Sequence, residues 1–136
     1  MEMYKEFKRY FGNRSIYTDL LMHIQNSQLE EKVLAFYPED WFGKEKPGLT
    51  IFTDKDIISI KNDTRILSEI IYKDYKVTKL DYLKHHNDRY AGSKLTITLD
   101  SGEQLIFDAS KVADEDYIET LSRYIKMIYE FLKEAP

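Results

Sequence analysis

The chain contains no cysteine, which excludes a disulfide framework, a thiol nucleophile and a zinc-thiolate site, and makes a reducing compartment the expectation. Glycine is scarce, with five residues, and the sequence holds no Gly-rich phosphate loop, no HExxH and no GxSxG. The usual signatures of nucleotide chemistry, metalloproteolysis and serine hydrolysis are therefore missing. No run approaches the roughly 20 apolar residues that a membrane-spanning helix needs. Residues 1–12 carry Glu2, Lys5, Glu6, Lys8 and Arg9 where a signal peptide would have its apolar core. A cytoplasmic protein is expected. Excess positive charge is also absent. The formal net charge is −4, whereas backbone phosphates are held by clustered lysine and arginine, so no nucleic-acid partner is expected.

Hydrophobic residues make up 43% of the chain and charged residues 32%, far from the composition of disorder, so a compact fold is expected throughout. With no internal repeat, low-complexity tract or linker, residues 1–136 read as a single domain. Its first part is helical. Met3, Tyr4, Phe7, Tyr10 and Phe11 recur at three- and four-residue spacing on one face, with Lys5, Lys8 and Arg9 on the other. Gly12 and Asn13 end that helix. Ile16, Leu20, Leu21 and Ile24 form a second apolar face, with Ser15 as its N-cap, until residues 25–28 interrupt it.

From Leu29 the periodicity changes to that of strands. Seven short β-rich runs are expected at residues 33–37, 49–52, 57–61, 66–72, 75–83, 94–99 and 104–107, the first ended by Pro38. The intervening segments hold Asp54 and Asp56, Asn62 and Asp63, residues 88–92, and Asp100-Ser101-Gly102, which are turn formers. The sharpest pair is the last hairpin, where Leu95, Ile97 and Leu99 share one face and Leu105 and Phe107 can match them across the turn. The chain closes with a long helix capped by Asp114, whose inner stripe is Ile118, Leu121, Ile125, Ile128 and Leu132.

Seven antiparallel strands followed by an amphipathic helix resemble the pleckstrin-homology-like (PH-like) folds. The bacterial branch of that superfold is matched locally by Glu31 to Phe36, Gly48-Leu49-Thr50-Ile51-Phe52-Thr53-Asp54, Ile70-Ile71-Tyr72-Lys73-Asp74 and Leu95 to Gly102. The resemblance implies an α+β fold, a seven-stranded antiparallel barrel or sandwich capped by the C-terminal helix. Residues 29–136 would form the core and residues 1–28 a helical extension. It carries no catalytic residue. In eukaryotic relatives the loop between the first two strands binds phosphoinositides through clustered basic residues. Here Lys44 and Lys46 stand against Glu39, Asp40 and Glu45, an acidic balance that departs from that pattern.

Several residues stand out as candidates, each with an ordinary reading beside it. Trp41 and Phe42, beside Gly43, Lys44 and Lys46, either fold back onto the core or form a recognition tip. Tyr117, Tyr124 and Phe131 recur every seven residues as a second stripe on the last helix, either covered by Phe7 and Phe11 or open to a partner. Asp54 and Asp56 fit turn chemistry better than catalysis. His85 and His86, near Asp88, are adjacent and would point to opposite faces of a strand, so without a bulge they would not converge on a metal. His23 reads as a surface or packing residue. No catalytic group, cofactor or metal is therefore expected. The reading is a non-enzymatic module for a protein or peptide partner, bound at a sheet edge or beside the last helix. Peripheral membrane or lipid binding through Tyr4, Phe7 and Phe11 is the alternative, and a hydrolase using Asp54, Asp56 or His85 a remote one.

Overall fold

A computed structural model of the chain describes residues 2–11, 15–39, 48–62, 65–85, 91–111 and 115–134. The side chains of residues 10, 11, 15, 16, 111, 115 and 116 are outside that description, as are the expected N-cap Asp114 and the loop with Trp41, Phe42, Lys44 and Lys46. The fold is α+β, with three helices and seven antiparallel strands in two sheets. The chain divides into two compact units, Met1–Asp74 and Tyr75–Pro136.

In the first unit, helix α1 (Glu2–Phe11) and helix α2 (Ser15–Asn26) precede four strands. These are β1 (Ala35–Glu39), β2 (Gly48–Phe52), β3 (Ile57–Asn62) and β4 (Leu67–Tyr72), paired in the order β1-β2-β3-β4. Alternation along the strands sorts their side chains onto two faces. Phe36, Leu49, Ile51, Ile58 and Ile60 share one face, in the register Phe36↔Ile51↔Ile58 and Leu49↔Ile60, and all five are buried. The two helices meet that face, α2 lying against β2 and β3. Phe7 contacts Phe36 at 5.5 Å and, edge-on, Tyr17 at 5.4 Å, while Tyr4 meets Phe36 edge-on at 5.4 Å. Full burial of a phenyl side chain such as that of Phe7 contributes about 1.5–3 kcal/mol. The α1 face that the sequence offered to a membrane or to the last helix is, at Tyr4 and Phe7, spent on this core.

Helix α2 stops without a glycine. Gln28 has φ 59°, its N–H donates to the Gln25 carbonyl, and the Leu29 N–H donates to the Ile24 carbonyl. This is the paired hydrogen-bond pattern of a Schellman terminus, with glutamine in the position glycine normally fills.

Two expectations for the first sheet change. Pro38 does not end β1 but lies within it, opposite Leu49. A proline lacks the donor that a central strand needs, and β1 tolerates it because it is an edge strand. Nor do the seven strands close into a barrel. Among the described residues β4 pairs with β3 alone and β5 with β6 alone, so the meander breaks between them. The break follows Asp74, at φ 50°, whose N–H donates to Asp56 Oδ1 at 3.1 Å.

The second unit contains β5 (Val77–Leu83), β6 (Lys94–Leu99), β7 (Gln104–Asp108) and helix α3 (Glu115–Glu134). The strands pair as β5-β6-β7, with Leu95↔Phe107 and Ile97↔Leu105 in the register the sequence implied. Gly102, at φ 90°, makes the hairpin turn and donates its N–H to the Leu99 carbonyl. Helix α3 packs against β5 and β6 through its buried stripe of Ile118, Leu121, Ile125, Ile128 and Leu132. Tyr129 stacks on Tyr82 at 4.3 Å, and the Ser122 hydroxyl accepts the Ser93 N–H at 3.1 Å.

Candidate functional site

An exposed apolar strand lies at β4. Among the described residues that strand has one hydrogen-bonded neighbour, and its residues Ser68 to Ile71 are all exposed. Ile66 is 66% exposed, Ile70 57% and Ile71 46%. Ile70 and Ile71 are consecutive, so they point to opposite faces of the sheet. At the other edge Ala35, Phe36 and Tyr37 are buried. The sequence carried a sign of this asymmetry. Adjacent isoleucines on one strand require either burial on both faces or a place at an edge, and reading residues 66–72 only as a strand left that choice open. Glu69, on the same strand, bonds His23 of α2 at 2.6 Å, which makes His23 a tether between helix and strand.

A second feature lies at the β2–β3 turn. An open cleft of about 570 Å³ has apolar walls from Leu29, Leu34 and Ile58, and its rim is Lys32 with the turn itself. The turn is built by Thr53. Its N–H donates to the Asp56 carbonyl at 2.9 Å, and its hydroxyl oxygen accepts the N–H groups of Lys55 and Asp56 at 3.3 and 2.9 Å. Asp56 is held by the Asp74 N–H. The two aspartates thus sit where turn chemistry places them, and Asp56 already has a partner. Leu34 is 44% exposed although it adjoins a buried strand, because it sits on the cleft wall, and its N–H extends the β1–β2 pairing by donating to the Phe52 carbonyl.

The sequence-derived candidates distribute as follows. Trp41, Phe42, Lys44 and Lys46 lie outside the described residues, as do His86 and Asp88. His85 is exposed just beyond β5. Tyr124, on α3, is buried at 6% exposure. Tyr117 and Phe131 are half-buried. Among the described residues no three histidine, aspartate or glutamate side chains gather as a metal site, and no helix is long and apolar enough to cross a membrane.

Among the described residues one titratable group is strongly perturbed. Tyr4 is 2% exposed, its hydroxyl has no hydrogen-bond partner among them, and burial pushes its pKa up from 10 to about 12. It faces the core rather than a cleft, so its perturbation belongs to stability. No family model matches the sequence, and no curated protein or solved structure matches it.

Proposed function

We propose that the chain is a non-enzymatic, PH-like interaction module that binds a protein or peptide partner by strand addition at β4. The observation carrying this reading is the β4 edge, a backbone paired on one side only among the described residues and flanked by the exposed Ile66, Ile70 and Ile71. Edge strands normally carry lysine, proline or a bulge that discourages pairing. This one has apolar residues on both faces, which suits an added strand that alternates its own side chains across the sheet. The PH-like assignment is supported by the seven antiparallel strands and the amphipathic helix that follows them. Membrane binding through α1 is the weaker reading, because Tyr4 and Phe7 are buried.

The test is to select peptides from a random library on the wild-type protein and measure them against Ile66→Lys/Ile70→Lys. Both side chains are exposed, so the variant keeps the core while guarding the edge. Selected peptides should lose affinity for the variant and protect β4 amides from exchange. Peptides that bind the variant equally well would refute strand addition at β4.

A further inference from the structure

The outward groups of β4 follow from the hairpin before it. In an antiparallel ladder alternate residue pairs exchange both backbone hydrogen bonds, and the residues between them turn those groups to the other side. The Thr53 N–H donates to the Asp56 carbonyl in line with the β2–β3 register, so Asp56, Ile58 and Ile60 bond towards β2, and Ile57, Ser59 and Lys61 towards β4. Their partners Tyr72, Ile70 and Ser68 therefore bond back to β3, and Leu67, Glu69 and Ile71 aim their N–H and C=O groups outwards. Side chains alternate in the same way. Glu69 and Ile71 lie on the sheet face of Ile58 and Ile60, and Ile70 lies on the other.

These outward groups restrict the register of an added strand, and β4 itself meets the restriction. Because they sit on alternate residues, two antiparallel copies of β4 must be centred on a residue and not between two. Centring on Ser68 or on Ile71 leaves half of each six-residue strand without a partner. Centring on Glu69 pairs residues 67–71 but sets Glu69 against Glu69 and Arg65 against Lys73, and like charges directly opposite destabilise a sheet. Centring on Ile70 pairs residues 68–72 without that penalty. Ile70 then meets Ile70, Glu69 exchanges hydrogen bonds with Ile71, and Lys73 of each copy stands diagonal to Glu69 of the other on one face. Diagonal neighbours are about 7–8 Å apart at the backbone, within reach of long side chains. The two Glu69 side chains are diagonal as well, but each carboxylate is bonded to its own His23 at 2.6 Å. Lys73 is exposed and has no ion-pair partner among the described residues. We infer that the strand added at β4 is the β4 of a second copy of this chain, antiparallel and centred on Ile70. The inference rests on strand addition at this edge and names its occupant.

The test is sedimentation equilibrium of the full chain over a range of concentrations, combined with single-cysteine crosslinking. The 16.2 kDa chain should pass to twice that mass as concentration rises. Opposed Ile70 residues form a pair without mutual hydrogen bonds, with Cα atoms about 4.5 Å apart, inside the roughly 4.4–6.8 Å span of a disulfide. The chain has no cysteine of its own, so Ile70→Cys introduces one thiol and should crosslink on mild oxidation. Ser68→Cys should not, because Ser68 meets Tyr72 in this register. Lys73→Glu should weaken the dimer about threefold or more, and Glu69→Lys/Lys73→Glu should recover part of the loss. All four side chains are exposed, and the amide spectrum of each variant reports whether it is folded. A monomer at every concentration overturns the inference, as does crosslinking of Ser68→Cys as readily as Ile70→Cys. A dimer that persists in Ile66→Lys/Ile70→Lys overturns it too. A strictly monomeric protein that still captures selected peptides at β4 refutes the second copy and leaves strand addition standing, whereas the loss of both refutes both.

Discussion

Replacing Tyr4 with phenylalanine removes one oxygen atom from a place where it makes no hydrogen bond. The ring is 2% exposed and packs edge-on against Phe36 with centroids 5.4 Å apart, a contact phenylalanine preserves. An unsatisfied buried polar group costs about 1–3 kcal/mol, and its removal leaves only a small void to offset the gain. Tyr4→Phe is therefore expected to stabilise the protein by about 1–2 kcal/mol at neutral pH. With a urea m-value of about 2 kcal/mol/M, the midpoint should rise by roughly 0.5–1 M at unchanged m. A second signature comes from titration. Because burial raises the phenol's pKa from 10 to about 12, the folded state holds a proton that the unfolded state begins to release near pH 10. Tyr4 thus contributes a stability term that is complete below pH 10 and is lost as pH rises towards 12. The advantage of Tyr4→Phe should widen over that window. Urea titrations at pH 8, 10 and 11 measure both effects. A destabilised variant, or an advantage that stays flat across pH, would refute the claim that the hydroxyl is buried without a partner.

Other substitutions probe separate parts of the fold. Gln28→Gly should stabilise by about 0.5–1 kcal/mol in thermal or urea unfolding, because glycine takes the positive-φ Schellman position without strain. Among the described glycines, Gly92→Ala should be the most damaging change. A Cβ there would sit 2.6 Å from the Ala109 carbonyl carbon and 2.7 Å from the Ser110 nitrogen, so backbone must move. Gly102→Ala meets no atom within 4 Å and should lose about 1 kcal/mol or somewhat more through its φ of 90° alone, giving a smaller drop in melting temperature. A double-mutant cycle on His23→Ala and Glu69→Ala should give a coupling below about 1 kcal/mol, in keeping with a partly exposed pair, and one that weakens with added salt.

Much of the architecture was legible from periodicity. The last hairpin follows directly from the alternation of Leu95, Ile97 and Leu99 and from a turn that ends in glycine, since a one-residue slip would turn all three side chains outward. Helix α3 was equally clear, because its apolar stripe repeats over four turns without interruption. The misreadings came where local chemistry was overruled by position in a sheet. Pro38 signals a strand end in a central strand but not at an edge, and a single sequence does not say which strand is which. Barrel closure was likewise a statement about pairing between β4 and β5, and a run of β-formers does not encode it. The cleft depends on Leu29, Lys32, Leu34 and the β2–β3 turn meeting from separate segments, so no short motif announced it. The turn that Asp54 and Asp56 led one to expect is present, but the side chain that bonds its backbone is that of Thr53.

The unequal edges of the first sheet limit what the molecule can build. β1 carries Pro38, which has no N–H to offer, and its residues Ala35 to Tyr37 are buried, whereas β4 is uncovered. Among the described residues β4 is the more open of the two edges. Two copies that met through β4 would each use the same edge, and the pairing would be isologous and complete at two. An exposed apolar strand is usually a route to open-ended fibres. In this sheet, self-pairing through β4 would instead give a closed stoichiometry.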